Sequence, residues 1–129
     1  MSPTPVQALV DSTVLVDLLR KYPPATTWLA TQPKLGTSNI AWMELIFGAQ
    51  NKAAQQQSLQ VLSLFEVVYL TEADMLWAMR QLLQNRLKYN VGVGDCLIAA
   101  MSQRLQIPLL THNLKHFTPL LGNLAQRPY

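Results

Sequence analysis

The stretch Gln7-Ala-Leu-Val-Asp-Ser-Thr-Val-Leu-Val-Asp-Leu-Leu-Arg-Lys21 decides the fold. Gln7 to Val10 reads as a short buried strand. From Thr13 to Lys21, Val14, Leu15, Leu18 and Leu19 recur at helical spacing, and Tyr22-Pro-Pro24 stops that helix. The chain thus passes from strand to helix with an acid, Asp11, at the junction.

Similar units follow outward from it. Pro24 opens a second short helix through Trp28 and Leu29. Leu35 to Ser38 reads as a second strand, with Ser38 or Asn39 as the N-cap of a helix that carries Glu44. The polar Asn51 to Gln57 segment reads as an exposed helix face or a turn. Glu66 to Leu70 is β-branched and aromatic enough for a third strand. Thr71 and Asp74 match a capping box that opens a long helix, Glu72 to Lys88, with an apolar stripe of Leu76, Met79, Leu83 and Leu87. Asn90 to Gly94 reads as a loop, Asp95 as the start of the next helix, and Ile107 to Leu110 as a fourth strand. Leu114 to Leu121 makes a last short helix, while Gly122 to Tyr129 carries no decisive signal. Alternating strands and helices imply an α/β fold of three layers, with helices on both faces of a mainly parallel sheet of four or five strands. Residues 1–129 read as one domain.

Half of the residues are hydrophobic and 13% are charged, which suits elements buried on more than one side. The net charge of +3 is a mild basic excess, compatible with a polyanionic partner. A single cysteine, Cys96, excludes an internal disulfide framework and sits in an apolar run as an inert core thiol. The start, Met-Ser-Pro-Thr-Pro, has neither the basic nor the apolar region of a signal peptide. No apolar stretch approaches the roughly 20 residues of a membrane span. A soluble, cytoplasmic protein without membrane contact is the expectation.

Three acids stand where acids are expensive: Asp11 after Leu9-Val10, Glu44 within Ile40-Ala-Trp-Met-Glu-Leu-Ile-Phe47, and Asp95 before Cys96-Leu-Ile-Ala-Ala-Met101. A lone buried carboxylate costs on the order of several kcal/mol or is neutralised by a raised pKa. None has a Lys or Arg close in sequence, and a shared hard cation, Mg²⁺ or Mn²⁺, would offset all three costs. Bland readings remain beside this one. Asp11 can be an N-cap, Asp95 a partner of the helix dipole, and Glu44 the mate of a distant Arg. Open α/β sheets bind ligands beyond the carboxyl ends of their strands, where strand order reverses. Asp11 and the Thr111-His-Asn113 segment each follow such an end.

At these residues the chain resembles the PIN-domain ribonucleases, and among them VapC, the toxin half of VapBC toxin–antitoxin pairs. The likeness runs through residues 9–19, Glu-Leu-Ile-Phe-Gly-Ala (44–49), Asp-Cys-Leu-Ile-Ala-Ala (95–100) and Ile-Pro-Leu-Leu-Thr-His-Asn-Leu-Lys-His-Phe (107–117). It implies an endoribonuclease dependent on Mg²⁺ or Mn²⁺, with Asp11, Glu44 and Asp95 as catalytic and metal-binding residues. Ser12, Thr13, Thr111 and Asn113 would support them. Asn113 stands where the family commonly has a fourth acid, which bears on a second metal ion. The resemblance also implies an RNA substrate, a small antitoxin and a homodimer.

Other residues read as ordinary structure. Asp17 and Asp74 fall on polar helical positions and read as solvated surface, Glu66 and Glu72 as decoration of a strand's ends. His112 and His116 read as exposed loop residues, and Trp42, Trp77 and the methionines mostly as core. Two other functions fit part of the pattern. Asp11-Ser-Thr13 after a strand resembles the nucleophile loop of haloacid-dehalogenase-like phosphotransferases, although Glu44 would then have no task. A PIN-like module that binds RNA or protein without cutting is the other, and Asn113 keeps it open.

Overall fold

The computed structural model describes residues 6–129, so the Met-Ser-Pro-Thr-Pro start lies outside the described residues. The strands are β1 (Leu9–Val10), β2 (Gly36–Ser38), β3 (Glu66–Val68), β4 (Leu109–Leu110) and β5 (Ala125–Gln126). The helices are α1 (Ser12–Leu19), α2 (Pro23–Ala30), α3 (Asn39–Gly48), α4 (Lys52–Leu62), α5 (Glu72–Tyr89), α6 (Val93–Leu105) and α7 (Leu114–Leu121). The sheet order is β3-β2-β1-β4-β5 and every pairing is parallel. Strand order therefore reverses between β1 and β4, where Leu9 pairs with Leu109 and Val10 with Leu110. Helices α1 to α4 pack on one another and α5 to α7 do likewise, giving the three-layer α/β/α arrangement. Leu9, Val10, Leu15, Ile98, Met101, Leu109 and Phe117 fill the centre with essentially no exposed surface. Among the described residues no helix is long and apolar enough to cross a membrane.

Local contacts settle the two alternatives the sequence left open and move or add two boundaries. The Gln-rich segment is the first half of α4, where Asn51 caps the Ala54 N–H at 2.8 Å and the glutamines face solvent. Ser38, rather than Asn39, caps α3 by accepting from the Ala41 N–H at 2.9 Å. Helix α6 starts at Val93, so Asp95 lies within its first turn and not at its start. The unassigned end supplies β5, whose Gln126 carbonyl accepts the Thr111 N–H at 2.9 Å.

The largest correction concerns α5. Its stripe of Leu76, Met79, Leu83 and Leu87 points outward, at 48%, 67%, 86% and 98% exposure. The face turned inward instead carries Asp74, Trp77, Ala78 and Leu82. Asp74 is therefore no surface acid: it is 2% exposed, accepts the Thr71 N–H in the capping box, and pairs with Arg104 Nε at 2.9 Å. That pair anchors the opposite face of α5 to α6. Of the methionines, Met101 is core, whereas Met43, Met75 and Met79 are exposed. Trp42 and Trp77 are half-buried against the core.

Candidate active site

Asp11 follows directly on β1 and occupies the N-cap position of α1, yet its side chain makes no cap hydrogen bond. Its Oδ2 instead accepts from the Thr111 hydroxyl at 2.8 Å and the Thr13 hydroxyl at 3.1 Å. The Ser12 hydroxyl reaches Oδ1 only at 3.4 Å, a weak contact. The two threonines are themselves held. Thr111 Oγ1 accepts the Asn113 N–H at 2.9 Å, and Thr13 Oγ1 accepts the His112 N–H at 3.2 Å. The crevice between β1 and β4 thus fixes one edge of a carboxylate that is 3% exposed, with hydroxyl groups in place of a cation.

Asp95 acts as a cap, in line with its reading as a first-turn acid. Its Oδ2 accepts the Gly92 N–H at 2.8 Å, a cap of α6, and lies 3.2 Å from His116 Nδ1. His116 Nδ1 is also 3.1 Å from Asn113 Nδ2. One ring nitrogen cannot accept from Asn113 and donate to Asp95 at once; with the Asn113 amide turned so that its oxygen faces the ring, Nδ1–H donates to Asp95 Oδ2. His116 is thus on α7 and against the site, not in an exposed loop. Asp11 and Asp95 each commit Oδ2 to strong protein contacts. Oδ1 is left with the weak Ser12 contact in Asp11 and no hydrogen bond among the described residues in Asp95.

Glu44 departs from expectation. The apolar run around it does not bury it: α3 is exposed at Met43, Glu44 and Phe47 and buries only Ala41 and Leu45. Its carboxyl is raised above the ordinary value by partial burial of the group, then by the charges of Asp11 and Asp95, with the Ser12 hydroxyl opposing. Asp11 is raised by burial first, against the lowering effect of the Thr111, Ser12 and Thr13 hydrogen bonds, with Asp95 adding repulsion.

No Lys or Arg pairs with Asp11, Glu44 or Asp95 among the described residues; arginines pair with Asp17 and Asp74 instead. The distant-Arg reading of Glu44 is thereby lost. The acids feel one another's charge without forming a closed cage, since among the described residues no three His, Cys, Asp or Glu side chains are close enough to hold a metal. The donor set still suits a hard cation: it is carboxylate oxygen, it is self-repelling, and among the described residues nothing cationic neutralises Asp11 or Glu44.

A PIN-domain model matches residues 8–117. The chain belongs to the PIN-domain family. Ribonuclease VapC10 of Mycobacterium tuberculosis is 34% identical over 113 residues, covering 84% of each chain, which places this PIN domain in the VapC branch. A toxin–antitoxin complex from Klebsiella pneumoniae contains a chain of the same fold, with a TM-score of 0.77 and 27% identity over 95% of this chain and 98% of that one. VapBC-1 of nontypeable Haemophilus influenzae gives a TM-score of 0.66 at 27% identity, covering 88% and 91%.

Beside the acids, this PIN domain has an aromatic cluster that the sequence did not announce. The Tyr129 hydroxyl donates to Asp17 Oδ2 at 2.7 Å, and its ring meets His112 edge-on at 4.6 Å and Trp28 at 5.4 Å. Asp17 is therefore half-buried and bonded, not solvated surface. His112 Nε2 is buried 3.7 Å from Asp17 Oδ2 without a hydrogen bond, so His112 is no exposed loop residue either. Burial, then the bond to Asp17, pushes the Tyr129 hydroxyl upward, so it stays protonated and able to donate. No local motif could have revealed this, since Asp17 and Tyr129 are 112 residues apart.

Proposed function

We propose that this PIN domain is a metal-dependent endoribonuclease, the toxin of a type II toxin–antitoxin pair. The observation that carries the reading is Asp11: a buried carboxylate, oriented by two threonines at the strand-order reversal, near other acids and, among the described residues, without a paired Lys or Arg. Asp11, Glu44 and Asp95 would hold Mg²⁺ or Mn²⁺. When bound, such an ion lowers the pKa of water and offsets charge developing on a phosphoryl oxygen. Thr111 and Thr13 fix the rotamer of Asp11, and the Gly92 N–H fixes that of Asp95, and the Oδ1 atoms, less engaged by the protein, would be the ones to meet the ion. Asn113 adds an amide and no charge, which favours one tightly held ion over two. The mild positive charge would hold the RNA backbone with little reading of bases.

The test is cleavage of a structured RNA with and without EDTA, by wild type and by Asp95→Asn. Metal-dependent cleavage in wild type and its near loss in the variant are expected. Cleavage that survives both treatments in protein free of contaminating nuclease would sink the reading.

The same reading includes an antitoxin, supported by relatives solved as toxin–antitoxin complexes, and a homodimer. The outward stripe on α5 supports the second. Met79, Leu83 and Leu87 are too exposed for a lone monomer face, and a two-fold contact of this helix with its copy would cover them. Leu83→Glu is expected to convert the dimer to monomer in light scattering, with circular dichroism unchanged. A wild type that stays monomeric at high concentration counts against it.

A further inference from the structure

Gly94 occupies the second position of α6, where the backbone has no need of a glycine. Its φ is not positive, and the residue is within the regular helix. In a helix, glycine is a weaker former than alanine. A Cβ built at Gly94 would lie 2.9 Å from Glu44 Oε2 and 3.8 Å from Glu44 Cδ, and outside its own helix it would approach nothing else within 4 Å. The other helical glycine outside the caps, Gly48, has open space in the same position. The gap at Gly94 is filled by one object, the carboxylate of Glu44.

We propose that Gly94 is a positioning residue for Glu44. The missing side chain lets the exposed α3 carboxylate settle against the first turn of α6, one residue from Asp95. This α6 end also carries the positive pole of the helix dipole, which favours the charge brought to it. A methyl group at position 94 meets the free end of a flexible, solvent-exposed side chain. Glu44 therefore yields and the backbone does not, so the acid swings away from Asp11 and Asp95 while the helix gains a better former. The inference rests on the metal reading above and adds to it a residue with no ligand atom of its own.

The test is Gly94→Ala, followed by thermal midpoints of the EDTA-treated protein and by Mn²⁺ titration calorimetry. The metal-free midpoint is expected to rise by about 2–4 °C. Mn²⁺ affinity is expected to fall by roughly tenfold, the lower end of what loss of a supporting contact costs a metal site. In a Glu44→Ala background, Gly94→Ala should leave Mn²⁺ affinity unchanged. Glu44→Asp, shorter by one methylene, should regain part of the lost affinity in the Gly94→Ala protein. Wild-type affinity in Gly94→Ala overturns the role of Gly94 while leaving the metal reading intact. A loss of affinity that persists without Glu44 also overturns it, as does a lower metal-free midpoint, because the backbone would then have given way. No Mn²⁺ binding by the wild type overturns the metal reading and this inference together.

Discussion

Asp11→Asn is expected to lower RNA cleavage by roughly a thousandfold and to make the metal-free protein more stable. The two effects have one origin. Asp11 is 3% exposed, and burial raises its carboxyl above the ordinary 3.8, with Asp95 adding repulsion. A raised folded-state pKa means that the folded state holds its proton to higher pH than the unfolded chain does. The associated stability is fully present below the unfolded value and lost as pH rises through the folded one. At neutral pH the ionised acid is therefore a penalty, which a bound cation would offset. Asparagine can keep the acceptor that Thr111 and Thr13 address while removing the charge. The gain should be on the order of 1 kcal/mol, a typical yield for one stabilising change, or about 3 °C for a chain of this length. It should vanish in melts near pH 3 and grow toward pH 7. A midpoint difference that is flat with pH, or a less stable variant at neutral pH, would refute this account of Asp11.

Arg104→Ala is expected to be among the most destabilising single changes outside the apolar core, and to act without regard to metal. Arg104 Nε lies 2.9 Å and 3.1 Å from the two oxygens of Asp74, which is 2% exposed. Removing one partner of a buried pair leaves the other charge uncompensated, at roughly 3–5 kcal/mol. Arg104 is itself 35% exposed, so water can partly replace it and we expect about 2–4 kcal/mol. Urea melts of Arg104→Ala and of Arg104→Ala with Asp74→Asn check it. The second change removes the stranded charge while keeping an acceptor for the Thr71 N–H, and should recover most of the loss. Equal stability of the single and double variants would show that packing of the Arg104 stem, not charge, was lost.

The contrast between these two acids shows what local sequence can carry. Asp11 could be located because the apolar run Ala8-Leu9-Val10 and a helical period meet at it, and the reversal of strand order brings Thr111 to its side. Asp74 was half legible. Its capping box is written in the spacing from Thr71, whereas its burial depends on Arg104, thirty residues later. Helix α5 carries apolar residues on more than one face, and periodicity does not say which face meets the rest of the chain. Glu44 misled in the opposite way. Apolar neighbours suggested burial, but α3 exposes Met43 and Phe47 along with the acid. The contact of His116 with Asp95 joins α7 to α6, and β5 is two residues long, too short for any alternation to register.

The position of β1 has a consequence for how the chain comes into being. It is made early, yet its neighbour β4 arrives with Leu109 and Leu110, and Thr111 reaches Asp11 across 100 residues. At about 5–20 residues per second, synthesis leaves that side of β1 open for roughly 5–20 s. Contacts of such long span also close slowly, because the loop entropy precedes the reward. A nascent chain can therefore build α1 to α4 against β2 and β3, but it cannot orient Asp11 until the ribosome has passed Thr111. On the proposed function, the growing polypeptide is harmless to the RNA around it for most of its own translation.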